Sequence, residues 1–399
     1  MLNIPTYYLN TNQNKFARAK KSIYVDKSGL LALLNSRINS QECYVCVSRP
    51  RRFGKTTAAD MLVSYYKIGA QSEDLFADLS IASHPSFKSH LNKYNVVFIN
   101  MLDELLEADC KVSKMKKNIE TILVNDLIKL NPWLAKSKGP SLYKTLQTVC
   151  EHTNAKFVFI IDEWDSILRD PRLTTKDHTI YIEFLKLLFK DKDYVALAYM
   201  TGILPIKKHR SDSLLNMFDE FTMINPRELT EFVGFTAPEV KNLCEVSKMD
   251  FEQMKEWYQG YYLNQTHVFC PYSVMNAVIH HEFDDYWAQT ASYEALVDYI
   301  AMNFDGLKYT IQNLYDGKKV NINTHNFQND IVTFNSANDV LTLLIHLGYL
   351  GYIKETNEVF IPNKEVRIQY DRAFDTPVWS EYIKSYEESK ELLKRTARQ

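Results

Sequence analysis

The stretch SRPRRFGKTT, at residues 48–57, places Gly-Lys-Thr between two segments of different pattern. Residues 44–47 (YVCV) are apolar and β-rich, which predicts a buried strand. Residues 57–68 (TAADMLVSYYKI) carry apolar side chains at helical intervals, which predicts a helix. A strand, a loop ending in GK[ST] and a helix are the context that a phosphate-binding loop requires. The sequence therefore predicts a nucleotide site in an α/β unit.

The start of this loop departs from the usual pattern G-x-x-x-x-G-K-[ST], because Arg49 stands where the first glycine belongs. Pro50 fixes one φ angle near −65°, and Gly54 is the only loop residue that lacks a Cβ. GK[ST] alone is a short motif that arises by chance. A basic surface turn is therefore the alternative interpretation of this stretch.

The end of the loop supplies the groups that a triphosphate needs. Gly54 permits close approach of the backbone, Lys55 supplies a cation for the terminal phosphates, and Thr56 places a hydroxyl toward a metal ion. The helix N-terminus adds positive partial charge. We predict ATP and Mg²⁺ as cofactors. The predicted nucleotide-binding residues are Arg51, Arg52, Phe53, Gly54, Lys55, Thr56 and Thr57.

Acidic residues follow a second apolar strand pattern, in the sequence IIDEWD at residues 160–165. Asp162, at the end of the strand, is the predicted Mg²⁺ ligand together with Thr56. Glu163 is the predicted base that orients and deprotonates an attacking water. The alternative is an acidic strand-to-helix turn, since carboxylates are favourable at helix N-termini.

The order of the strands favours one enzyme class. The strand pattern VVFINM, at residues 96–101, lies between Lys55 and Asp162 along the chain. An extra strand inserted between the phosphate-loop strand and the acidic strand is the arrangement of ATPases with an additional catalytic glutamate. Small-molecule kinases usually lack it. We therefore expect water to be the phosphoryl acceptor.

A third polar element, MTGILP at residues 200–205, ends the next strand pattern. A polar side chain at this strand tip can contact the terminal phosphate or the attacking water. Thr201 is the predicted residue, in a catalytic set with Lys55 and Glu163. Its alternative is the ordinary chemistry of a strand end.

The alternation of helices with apolar, unalternated strands predicts an α/β fold with a parallel sheet covered on both faces. We expect a core unit over residues 1–225, a mainly helical unit over 226–305, a winged-helix-like unit over 306–375 and a charged C-terminal helix over 376–399. The winged-helix prediction rests on a helix at 337–347 followed by two strand patterns, GYLGYI and EVFIP.

Composition and charge argue against several classes of protein. The formal net charge is −2, so nothing chain-wide favours nucleic-acid or anionic-membrane binding. The N-terminus lacks the apolar core of a secretory signal, and no run of about 20 apolar residues predicts a membrane span. Six scattered cysteines favour reduced thiols and a cytoplasmic location. Cys43 and Cys46 form a C-x-x-C in a strand pattern with no second pair, which favours a core role over metal or redox chemistry.

These segments together resemble the bacterial and archaeal AAA-ATPase-like family over nearly the whole chain. RPRRFGKT is the most specific of them, and IDEWD and TGILP are similar to the family's IDEYD and TGILP. Further segments that carry the resemblance are YVDK at 24–27, GFT at 234–236 before EV at 239–240, YQGY at 258–261, PYS at 271–273, GYL at 348–350 and IPNKE at 361–365. Cys270 stands where the family usually has Asn.

The resemblance implies an ATPase core, a helical lid and a winged-helix unit, working as a nucleotide-driven switch. It also implies a nuclease effector or partner protein, because members often carry a C-terminal PD-(D/E)xK nuclease domain. After Asp375 we find no spaced Asp and Glu-x-Lys set. We therefore expect that this chain is shortened or that the effector lies elsewhere. A signalling module with little turnover and a DNA-associated regulator of a nuclease remain alternative interpretations.

Overall fold

The computed structural model of the 399-residue chain describes residues 6–11, 14–136, 141–206, 215–287, 293–302, 304–325, 327 and 334–377. Beyond these it describes 379, 381–382, 384–385 and 388. Chain contacts divide it into two compact units. The first comprises Met1–Pro50 and Gly54–Val233, and the second comprises Arg51–Phe53 and Gly234–Gln399.

The first unit is built on a five-stranded parallel sheet in the order β2-β3-β4-β1-β5. The strands are β1 Tyr44–Ser48, β2 Asn95–Asn100, β3 Phe157–Asp162, β4 Val195–Gly202 and β5 Asp219–Phe221. Every residue of β3 and β4 is buried, which explains the absence of alternation in their sequences. The prediction of an α/β fold with a covered parallel sheet is confirmed.

Ten α-helices lie in the described part of this unit, several of them a single turn long. They are α1 Lys15–Lys20, α2 Gly29–Arg37, α3 Lys55–Tyr66, α4 Glu73–Phe76, α5 Phe87–His90, α6 Met101–Glu107, α7 Val112–Leu130, α8 Leu142–Thr153, α9 Ser166–Arg169 and α10 Thr175–Phe189. Side-chain caps explain why α6 and α10 begin where they do. Asn100 accepts from two backbone N–H groups of α6, and Thr174 and Asp177 form a capping box on α10.

The sheet order corrects one expectation about the extra strand. The strand between β1 and β3 in space is β4, whereas β2, which carries the VVFIN sequence, lies beyond β3 at the edge. Chain order and sheet order differ because parallel strands are joined by crossovers. A strand does separate the phosphate-loop strand from the acidic strand, but it is the one that ends at Thr201.

Aromatic residues of β3 and its surroundings fill part of the first unit's core. Phe159 makes an edge-to-face contact with Phe189, with ring centres 5.4 Å apart. Cys43 and Cys46 are buried free thiols in the same core, which confirms their predicted role. Among the described residues there is no group of three or more His, Cys, Asp or Glu side chains that could hold a metal ion.

The second unit mixes helices with two small antiparallel sheets. Its helices are α11 Ala237–Ser247, α12 Phe251–Tyr258, α13 Pro271–His280, α14 Tyr293–Ile300, α15 Leu307–Tyr315, α16 Ala337–Leu347 and α17 Lys364–Phe374. Its strands are β6 Phe235–Thr236, β7 Tyr261–Leu263, β8 Thr266–Phe269, β9 Val320–Asn321, β10 Gly351–Ile353 and β11 Glu358–Phe360.

The sheet of β6, β8 and β7 lies in a stretch whose sequence predicts mainly helix. β7 and β8 form a hairpin through Asn264 and Gln265, with φ of 45° and 64°. Two consecutive left-handed residues are the geometry of a tight hairpin turn. Asn-Gln is a weaker sequence signal for that turn than Asn-Gly, so the pattern of short strands is easily missed.

α16 followed by the β10–β11 hairpin matches the predicted helix and strands, and β9 adds a third strand beside β11. The winged-helix assignment and the four-part division stay predictions. The predicted charged helix near the C-terminus lies largely outside the described residues. Of the helices that the structure describes, none combines the length and apolar character needed to cross a bilayer.

Candidate active site

The predicted site residues of the first unit come together where neighbouring strands end. In the sheet register, Asn100 of β2 lies opposite Asp162 of β3, Asp162 opposite Thr201 of β4, and Thr201 opposite Val47 of β1. The phosphate loop begins right after β1. The carboxyl edge of a parallel sheet is where such folds bind ligands. The three motifs, far apart in sequence, therefore share one edge.

Arg49, which replaces the usual glycine, is fully buried and points into the fold. Its Nη1 donates to the carbonyls of Ser48 (2.9 Å) and Phe221 (3.1 Å), and its backbone N–H donates to Gly202 O (3.1 Å). Burial lowers the pKa of its guanidinium to about 10. Arg49 thus connects the ends of β1, β4 and β5.

The curvature of the loop comes from two residues with left-handed backbone. Arg52 has φ of 68° and Gly54 has φ of 87°. Glycine adopts this conformation without penalty, whereas arginine pays for it. The loop therefore turns at its middle and end, and the Arg-Pro start needs no glycine.

Arg51–Phe53 group with the second unit, and two of their side chains are engaged there. The Arg52 guanidinium stacks 3.6 Å from the ring centre of Tyr272, and the buried Phe53 ring meets Tyr261 edge to face at 5.1 Å. Arg51 is exposed. The predicted nucleotide contacts of these three residues stay predictions.

Lys55 is the first residue of α3 and is buried. Its Nζ donates to the carbonyls of Arg49 (3.0 Å) and Pro50 (2.8 Å). Burial lowers the pKa of its ammonium group, and the charges of Glu163 and Asp162 oppose that effect. A buried cation held by loop carbonyls beside two carboxylates is suited to an anionic ligand.

Thr56 and Asp162 meet directly: Thr56 Oγ1 donates to Asp162 Oδ2 at 2.9 Å. Thr56 is exposed, whereas Asp162 is buried. Burial, with a smaller contribution from the charge of Glu163, raises the pKa of Asp162 to about 6, and the Thr56 hydrogen bond opposes that rise. Hydroxyl and carboxylate oxygens are hard ligands, and Mg²⁺ in such sites takes its remaining ligands from water and phosphate. The pair therefore fits the predicted metal.

Glu163 has a left-handed backbone, with φ of 52°. Its N–H donates to Asp162 Oδ1 at 3.0 Å, and its Oε2 accepts from Arg169 Nη2 at 2.8 Å. The Glu163 side chain is 22% exposed, so it reaches the surface of the site. Non-glycine residues in this conformation cluster at functional sites because the surrounding structure must impose it.

Thr201 is fully buried, and its Oγ1 has no hydrogen-bond partner within the described part of the chain. Its carbonyl accepts from the N–H of Trp164 at 3.1 Å, which ties the end of β4 to the acidic element. Thr57 is exposed on α3. The sheet thus brings Thr201 beside Asp162, and its predicted catalytic role stays a prediction.

The sequence reasoning missed Asp165 and Arg169. Asp165 is fully buried, and its Oδ2 accepts from the N–H groups of Ile203 (3.2 Å) and Leu204 (2.8 Å) and from Arg169 Nε (2.8 Å). A Cβ on Gly202 would lie 2.5 Å from Asp165 Oδ1, so glycine is needed there. The i, i+4 spacing of Asp165 and Arg169 was the signal in the sequence that could have identified this pair.

Comparison with known proteins places the sequence of this chain in a family. The model described as "Predicted AAA-ATPase", of the AAA-ATPase-like family, matches residues 11–211, which is half of the chain and contains all three motifs. An uncharacterized protein in the vnfD 5′ region of Azotobacter chroococcum mcd 1 is 23% identical over 283 residues. That match covers 69% of this chain and 52% of the relative, so the chain spans about half the relative's length.

Two solved structures of the Aeropyrum pernix ORC2 protein are also similar. The ADPNP–ADP complexes have a TM-score of 0.31 at 12% identity, covering 97% of this chain and 98% of that chain. The ADP form has a TM-score of 0.27 at 11% identity, covering 94% and 96%. On the family match over half its length, the chain belongs to the AAA-ATPase-like family.

Proposed function

We propose that this chain binds ATP with Mg²⁺ and hydrolyses it, and that the bound nucleotide acts as a switch. One observation carries the proposal: the Thr56 hydroxyl lies 2.9 Å from the Asp162 carboxylate, with Lys55 and Glu163 adjacent in sequence to that pair. A loop cation, a hydroxyl and two acidic residues at one strand edge are the groups that phosphoryl transfer to water needs.

Phosphate binding is assigned to the loop and the start of α3. Lys55 would donate to the terminal phosphates in place of the Arg49 and Pro50 carbonyls. The free N–H groups at the N-terminus of this 12-residue helix favour an anion in front of it. Gly54, with no Cβ at φ of 87°, lets the backbone approach closely.

Hydrolysis is assigned to Glu163 and water. The water oxygen forms a bond to the γ-phosphorus while the bond to the bridging oxygen breaks, and the water proton passes to Oε1 of Glu163. Oε1 is the candidate atom because Oε2 accepts from Arg169. Thr201 is proposed to contact the attacking water or the terminal phosphate, since its buried hydroxyl has no partner within the described residues.

Metal binding is assigned to Thr56 and Asp162, the latter directly or through water. Mg²⁺, when bound, neutralises charge on the phosphates during transfer. The switch role rests on the resemblance of the chain to AAA-ATPase-like proteins, whose family model matches residues 11–211.

The direct test is phosphate release from ATP by the wild type and by Glu163→Gln and Lys55→Ala. We expect Glu163→Gln to lower kcat by about 10²- to 10⁴-fold, the usual contribution of a general base, while nucleotide still binds. Lys55→Ala should weaken ATP binding by about 10- to 100-fold, because it removes charge-assisted hydrogen bonds. Glu183→Gln, an exposed carboxylate on α10, is the matched control.

A thermal shift with ATP separates the enzyme from a signalling module with little turnover. Ligand at about 100 times its Kd stabilises the folded state by about 2.7 kcal/mol. Stabilisation without phosphate release would favour the signalling module. If the wild type turns over and Glu163→Gln retains that turnover, the assigned base is wrong.

A further inference from the structure

We propose that Arg169 is a positioning residue for hydrolysis, holding the Glu163 carboxylate in the direction needed to take the proton from water. This rests on the function proposed above. Arg169 is the last residue of α9, and its side chain is 15% exposed. One guanidinium serves two carboxylates: Nη2 donates to Glu163 Oε2 and Nε donates to Asp165 Oδ2, both at 2.8 Å.

The position of Arg169 is itself imposed by the sheet. Asp165, its second partner, is fully buried and accepts from the N–H groups of Ile203 and Leu204, directly after β4. Asp165 therefore cannot follow a movement of Arg169 without losing backbone hydrogen bonds. The planar fork of arginine keeps its two donor directions fixed relative to each other, which an ammonium group cannot do.

Glu163 needs such a partner because its side chain has several rotatable bonds. Its backbone is already constrained, with φ of 52° and an N–H···Oδ1 bond to Asp162. The backbone constraint fixes the direction in which the Glu163 side chain leaves the main chain. The hydrogen bond from Arg169 fixes the position of its carboxylate. A misplacement of a reacting group by about 1 Å can cost about 100-fold in rate. A series of hydrogen bonds thus links the end of β4 to the proposed base, through Asp165, Arg169 and Glu163.

The test compares Arg169→Met, Arg169→Lys and the matched control Arg172→Met. Arg172 also donates to an aspartate through Nε, to Asp170 Oδ1 at 2.9 Å, but its side chain is 62% exposed. We expect Arg169→Met to lower kcat about 10- to 100-fold with ATP affinity changed less than about 3-fold. Arg169→Lys should recover part of the loss, and Arg172→Met should match the wild type.

A double variant distinguishes positioning from a purely structural role. If Arg169 acts through Glu163, adding Arg169→Met to Glu163→Gln causes no further loss of kcat. A structural role would instead lower ATP affinity and kcat together, and the losses would add, which would overturn the proposal. An Arg169→Met variant with unchanged or higher kcat would overturn it too.

The two proposals fail in different ways. If Glu163→Gln keeps wild-type turnover, the assignment of the base fails whatever Arg169 does. If Glu163→Gln loses turnover and Arg169→Met does not, the base stands and the positioning role of Arg169 is wrong. Nucleotide titration of each variant gives its binding-competent fraction, so kcat is compared per folded molecule.

Discussion

Asp162 in the first unit and Glu365 in the second are both buried carboxyl groups, yet their surroundings differ. Burial raises the pKa of both, to about 6 for Asp162 and about 8 for Glu365. Asp162 accepts from Thr56, whose side chain is exposed. Buried residues surround Glu365: Oε1 accepts from the N–H groups of Tyr286 and Trp287, and Oε2 accepts from Ser273 Oγ, all at 2.9 Å.

The contrast between Asp162 and Glu365 separates a candidate functional carboxylate from a structural one. A perturbed pKa alone suggests function for both groups. Glu365 has its hydrogen bonds supplied within the fold, by the start of α13 and by the segment that follows it. The hydrogen-bond partner of Asp162, Thr56, is exposed to solvent. Asp162 itself lies at the sheet edge where the three sequence motifs come together. We therefore expect Asp162 to matter for turnover and Glu365 for stability.

The largest expected effect is on turnover. Asp162→Asn should lower phosphate release by at least about 100-fold, the size of losing one preorganised electrostatic contact. The amide keeps an acceptor oxygen, so the free energy of unfolding should change by less than about 1 kcal/mol. The same carboxyl-to-amide change at Glu365 is the control, with turnover within about 3-fold of the wild type. Equal losses at both positions would contradict the distinction.

The next effect is on stability. Glu365→Ala removes the acceptor of two buried backbone N–H groups and the Ser273 hydroxyl, each costing about 1–3 kcal/mol when left unpaired. Removing the buried carboxyl group also removes the cost of burying it, which offsets part of this loss of stability. We expect a loss of about 2–4 kcal/mol in urea unfolding followed by tryptophan fluorescence. Glu355→Ala, at an exposed position, should stay within about 0.5 kcal/mol. A small loss at Glu365 would show that its hydrogen bonds contribute little.

The smallest effect, counted per pH unit, is a pH dependence of stability. The pKa of Glu365 rises from 4.5 to about 8 on folding, chiefly through burial. Between these values the folded chain holds a proton that the unfolded chain has released, so the free energy of unfolding falls as pH rises. Glu365→Gln removes this pH-dependent contribution to the free energy of unfolding, because glutamine does not titrate. Its stability relative to the wild type should grow from pH 5 to pH 8, by at most about 1.4 kcal/mol per pH unit. A constant difference would show that Glu365 does not titrate there.

Much of the site was predictable from local pattern. Lys55, Thr56, Asp162 and Glu163 follow from short motifs, because a strand, a tight turn and a helix each leave a periodic signal in adjacent residues. Their approach at one sheet edge follows from the parallel order of the strands. The order itself was predicted less well: β4, rather than β2, separates β1 from β3.

Short motifs and their order along the chain were enough to predict a phosphate-type loop, an acidic strand end and an α/β core. The folded chain shows what no motif indicated: Arg49 is a buried connector, Arg169 joins Glu163 to Asp165, and Ser273 meets Glu365 across 92 residues of chain. The physical reason is that motifs report local backbone geometry. A hydrogen bond between distant segments depends instead on how strands and helices are placed together, which no local period encodes.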